Sequence, residues 1–139
     1  MRARLGGETG QIAPLFLVLS VVVLGALGFV IDLGMAMNSR AELTYTAGAA
    51  ARAGTAGLDP KISQHLGIPT LDPALARDDA LAYLRQVGFA GRVLAVSVSP
   101  DDRQVQVSIE QTRPTSLLRL FGVGRLTVHA VGTASPREG

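Results

Sequence analysis

From Ile12 to Ile31 the chain runs through twenty residues without a charge, and Ser20 is the single hydroxyl among them. At about 1.5 Å of rise per residue, such a run covers roughly 30 Å, the hydrocarbon thickness of a bilayer. A helix in a soluble core is rarely apolar on every face, so the pattern predicts a membrane-spanning helix over 12–31. Arg2 and Arg4 precede the run with Glu8 as their one acidic counterweight. The positive-inside tendency then keeps the N-terminus cytoplasmic and puts everything after Asp32 outside. A cleavable signal peptide is the competing reading. Its apolar stretch is typically about 7–15 residues long and is followed by a small-x-small cleavage site; here the run is longer, and Gly34-Met35-Ala36 fits such a site poorly. A retained anchor is therefore expected.

Helix-forming residues continue past the span, through Met35, Ala36, Arg40 and Leu43 into Ala47–Gly57, where nine of eleven residues are Ala or Gly, and no proline intervenes before Pro60. One helix from about residue 12 to about 56 would be roughly 65–70 Å long and must protrude from the bilayer. Each glycine in a helix costs about 1 kcal/mol relative to alanine, so an Ala/Gly helix needs something packed on it. Small side chains permit close backbone approach. The expected packing positions are Gly25 and Gly28 within the span, and Ala47, Ala50 and Gly54 beyond it. A flexible, partly helical spacer is the alternative for the Ala/Gly run.

Asp59-Pro60 through Gly67-Ile68-Pro69 reads as a linker. Asp72-Pro73 then opens a helix over 73–87, with Leu81, Leu84 and Val87 at helical spacing before Gly88. Leu94, Val96 and Val98 alternate with small or polar residues, and so do Val105, Val107 and Ile109 after the Pro100-Asp101-Asp102-Arg103 turn, which predicts a β-hairpin. Pro114 can start a short helix with Leu117, Leu118 and Phe121 inward, and Leu126, Val128 and Ala130 define a third strand. The expected fold is α+β: a long N-terminal transmembrane helix protruding from the membrane, then a small antiparallel sheet packed on helix. Its parts are a cytoplasmic leader over 1–11, the spanning and protruding helix over 12–57, a linker over 58–71 and an extracytoplasmic head over 72–139.

Composition narrows the function. The chain of 139 residues carries a formal charge of +2, and its basic residues are scattered arginines with Lys61 the sole lysine, which is no basic stripe for a nucleic acid. No cysteine is present, which excludes disulfides, thiolate metal sites and a lipidated cysteine. His65 falls in the linker and His129 on the polar side of the last strand, without H-E-x-x-H spacing. Asp78-Asp79 and Asp101-Asp102 lack the alternating ligands of a calcium loop, and Gly122-Val123-Gly124 lacks the context of a phosphate-binding turn. No catalytic, cofactor or metal constellation is legible, and no enzyme is expected. Asp32, immediately after the apolar run, reads as an acid at the membrane interface.

Gly10-Gln11-Ile12-Ala13 before the span, Asp32-Leu33-Gly34 at its exit and Ala49-Ala50-Ala51-Arg52-Ala53-Gly54 beyond it resemble the TadE/TadG-type proteins of Flp (tight adherence) pilus systems. The resemblance covers mainly residues 8–57. It implies a pseudopilin-like, pilin-like architecture and a role in pilus assembly as a minor pseudopilin or accessory factor. The implied partners are the lipid bilayer, other pilus-assembly proteins or pilins reached through the N-terminal helix, and a prepilin peptidase acting at Gly10. The chain departs from the broader prepilin pattern, which carries Glu five residues after the cleaved glycine: Gly7 leads to Ile12 and Gly10 to Leu15. A membrane-tethered extracytoplasmic binding or sensing module unrelated to pili is the other reading of an anchor plus a small head.

Overall fold

The computed structural model describes residues 9–56, 70–101 and 103–136. Its first element, α1 (Thr9–Gly54), is one helix of 46 residues, about 69 Å long at 1.5 Å per residue. It is continuous through Asp32, as the run of helix formers predicts. Residues 1–8 of the leader expected over 1–11, and most of the linker, including His65, lie outside the described residues; residues 9–11 belong to α1.

After the linker comes α2 (Pro73–Gln86), whose start is built as its sequence predicts. Proline occupies the first turn, and the Asp72 carboxylate accepts hydrogen bonds from the amides of Ala74 at 2.8 Å and Leu75 at 3.3 Å. This satisfies donors that have no partner inside the helix. Its buried face agrees with expectation at Leu84 and differs elsewhere. Ala76, Ala80 and Leu84 point inward, whereas Val87 is exposed. Close approach to α1 decides this: a Cβ on Gly54 would stand 2.8 Å from the Ala76 carbonyl oxygen, a separation that only small residues on both helices permit.

Three strands follow: β1 (Arg92–Val98), β2 (Val105–Pro114) and β3 (Arg125–Ala134), arranged in that order as an antiparallel sheet. Val105, Val107 and Ile109 of β2 are fully buried, as alternation predicts, and Val128 and Ala130 of β3 join them. Two expected inward residues differ. In β1 the register slips between Val93 and Ala95, so that Val93 faces Ile109 and Ala95 faces Ser108. This bulge turns Leu94 out of the core and substitutes Val93, which packs against it with Val96 and Val98. At the start of β3, Leu126 is 37% exposed because the sheet has passed the end of its core there.

The core is a layer between the sheet on one side and both helices on the other, centred on Leu43, Ala47, Ala50 and Ala51 of α1, Leu71, Ala80, Leu84 and the three β2 residues. The C-terminal half of α1 is thus a structural wall of the head as well as its stalk. Between β2 and β3 the chain forms a 3₁₀ turn, Leu118–Phe121, ended by Gly122 in the left-handed conformation at φ 89°. The short helix was expected to turn its leucines and Phe121 into the sheet core. It lies instead beside α1 with no buried residue of its own, and Phe121 is 65% exposed.

Candidate functional site

One face of α1 organises the molecule. Gly28, Asp32, Ser39, Leu43, Ala47, Ala50 and Gly54 are buried, and Gly25 and Ala36 are half-buried. Their spacing of three and four residues holds them to a single stripe. Every member but Leu43 is Gly, Ala, Ser or Asp, so the sheet and its loops come very close to the helix backbone. A Cβ on Gly132 of β3 would lie 2.2 Å from the backbone of Ala47 and Gly48, and one on Gly28 would lie 2.9 Å from the Cβ of Leu117. At Gly25 the contact is the ring of Phe121, 3.3 Å from such a Cβ.

At the middle of the stripe Asp32 is 5% exposed. Its Oδ1 accepts the amide of Ser116 at 3.0 Å, and its Oδ2 accepts those of Leu117 at 2.9 Å and Leu118 at 2.6 Å. These are the donors that open the 3₁₀ turn, supplied with a carboxylate from more than eighty positions earlier in the chain. The Leu118 hydrogen bond, helped by those of Ser116 and Leu117 and opposed by desolvation, holds the Asp32 carboxyl below its ordinary value. The carboxylate, one residue beyond the apolar run, therefore ties the β2–β3 loop to α1 as an ion. A groove beside it is lined by Met35, Ser39, Arg113, Thr115 and Val128.

The stretch before the stripe is bare. Leu15, Phe16, Leu17 and Leu24 are each about two-thirds exposed, and α1 is long and apolar enough to cross a membrane. The helix itself has a counterpart among known families. Residues 10–57 match the Tad family model, described as "Putative Flp pilus-assembly TadE/G-like". No curated protein matches the chain, and no solved structure does. The Tad match covers about a third of the chain and ends three residues past the end of α1. The strands and α2 lie beyond it.

The Tad-like segment contains Gly10, Asp32 and the five expected packing positions. Gly10 lies in the first turn of α1. Gly25 and Gly28 do share a face, and the chain's own β2–β3 loop occupies it. Ala47, Ala50 and Gly54 lie on the same stripe beneath β3, β2 and α2, where they are closed to any second molecule. Asp32 was read as an interfacial acid with no partner assigned; its three amide partners were missed. Gly132 was missed as well, although a glycine at an inward position of a strand signals close backbone approach. His129 stands exposed on the outer face of the sheet with Nδ1 3.4 Å from Glu110, which also pairs with Arg92 at 3.2 Å. Among the described residues no group of acidic and imidazole side chains could hold a metal ion.

Proposed function

We propose that the chain is a membrane-anchored minor pseudopilin or accessory factor of Flp/Tad-type pilus assembly, acting by protein–protein packing rather than by catalysis. The match of residues 10–57 to the Tad family carries this reading. The bare apolar half of α1 supports it, because a helix exposed all round must be surrounded by lipid or by other apolar helices. The N-terminus is cytoplasmic and the head extracytoplasmic, in keeping with Arg2 and Arg4 before the span.

Partners meet α1 through its outward faces, since the small-residue stripe from Gly28 to Gly54 is filled by the head. Met37 and Tyr45, eight positions apart and both strongly exposed, lie on such a face above the span. A prepilin peptidase acting at Gly10 would release the leader. Deletion of the gene is expected to abolish surface pili, and complementation to restore them; normal piliation in the deletion strain would overturn the assembly role. Mass spectrometry of the mature N-terminus reports separately on leader removal, through loss of the first ten residues.

A further inference from the structure

The head overlaps the apolar run. Phe121 rests against Gly25 and Leu117 against Gly28, yet both glycines belong to the stretch 12–31 that has the length of a bilayer's hydrocarbon. Gly25 lies seven residues before Asp32, about 10 Å along the axis. The run has no spare length with which to leave that stretch in water: residues 12–24 alone would cover only about 20 Å of a thickness of roughly 30 Å. Whatever surrounds residues 25–31 of α1 must therefore also surround the tip of the β2–β3 loop.

The tip suits lipid. Leu120 is 80% exposed, Phe121 and Val123 are exposed beside it, and the flanking charges are the exposed Arg119 and Arg125. Long arginine side chains can keep their stems in an apolar layer while the guanidinium reaches phosphate. Irregular backbone is normally excluded from hydrocarbon because its polar groups have no partner there. Here seven amides of the loop have partners. Asp32 takes the amides of Ser116, Leu117 and Leu118; the Thr115 amide donates to the Gly124 carbonyl; Leu120 donates to Leu117, Gly122 to Arg119 and Val123 to Leu118. The Thr115 hydroxyl adds a bond to the Val123 carbonyl.

We propose that the loop Thr115–Gly124 is a second membrane-contacting element, a wedge whose Leu120 and Phe121 enter the outer leaflet beside α1, with Asp32 satisfying the backbone that makes this entry possible. The head would then be held at two points, with its sheet rising from the membrane surface at a set orientation. This rests on the membrane anchoring proposed above.

The chain has no cysteine, so single cysteines can be placed without background. Full-length variants Leu120→Cys, Leu19→Cys and Val131→Cys, each labelled with an environment-sensitive nitrobenzoxadiazole fluorophore, would be reconstituted in phosphatidylcholine nanodiscs. Leu19 lies within the span, and Val131 on the outer side of β3 well above Asp32. The Leu120 label is expected to lose emission to lipids carrying a doxyl group high on the acyl chain and to resist aqueous iodide, whereas the Val131 label should show the reverse. Iodide quenching at Leu120 together with lipid quenching at Leu19 would overturn the wedge and leave the anchor standing. Absence of quenching at Leu19 by lipids carrying the doxyl group near the end of the acyl chain would overturn both. A Leu120 label shielded from iodide and doxyl alike would mean that a protein surface covers the loop, and would also overturn the wedge.

Discussion

Two stretches of the same helix behave in opposite ways. From Ile12 to Leu24, α1 is bare on all sides, whereas from Gly25 to Gly54 one of its faces is filled by the head. Hydrophobicity does not set the boundary, since the apolar run continues to Ile31; side-chain size along one face does. The first stretch carries Leu, Val and Phe around its whole circumference, which makes a good surface for lipid and leaves no groove for a sheet. The second places Gly, Ala, Ser and Asp at every third or fourth position, which lets strand and loop backbone approach within a methyl group of the helix. A bare apolar stretch and a wall of the head are thus written into one uninterrupted helix by changing residue size along one stripe.

Filling that stripe should have the largest effect. Gly132→Val puts a branched side chain where a Cβ would already lie 2.2 Å from the α1 backbone, so β3 must lift away. Destabilisation of about 3 kcal/mol or more is expected from such overpacking, read by thermal unfolding in detergent. Asp32→Ala should leave α1 and the sheet in place but free the β2–β3 loop, exposing the bonds after Arg119 and Arg125 to trypsin at a rate the parent does not show. The same clamp sets a pH dependence. Because its carboxyl is lowered in the folded state, the clamp contributes its full stability above the ordinary carboxylate value of 3.8 and loses it as pH falls through the lowered one. Trypsin being inactive there, the parent's loop release should be followed by the hydrogen-exchange protection of the Leu117 and Leu118 amides relative to their intrinsic rates at each pH, constant from pH 8 to about pH 5 and falling below about pH 4.

A smaller effect is expected of Gly28→Ala. Its new methyl would meet the Leu117 Cβ at 2.9 Å, an atom no rotamer change can move, so the loop backbone must shift slightly at a cost of about 1–2 kcal/mol. The control for the comparison is Gly34→Ala, on an open face of the same helix with nothing within 4 Å of the added Cβ. It should stabilise α1 by up to about 1 kcal/mol through helix propensity alone. Were Gly28→Ala as benign as Gly34→Ala, the distinction between a covered and an open face would fail.

These contrasts also mark what could be read in advance. The apolar run, the continuation of α1, the Asp72-Pro73 start of α2 and the buried alternation of β2 are local patterns, set by period and capping within a few residues. The slip that expels Leu94 is local too, but β1 reads equally well in either register, because Val93 and Leu94 are both apolar. Only pairing with β2 chooses between them.

The sequence by itself determined that a long helix begins in an apolar span and continues as a small-residue segment of Tad-like pattern, since hydropathy, propensity and side-chain size are properties of each residue. The tertiary structure decided what covers that segment. It set Ala76 and Ala80 rather than Val87 against Gly54, laid Gly132 on Ala47, and brought Asp32 to amides 84 to 86 positions away. Such contacts depend on how separate elements are placed in space. No periodicity along the chain records that a carboxylate at the end of an apolar run will meet three backbone donors in a loop near the other end of the protein.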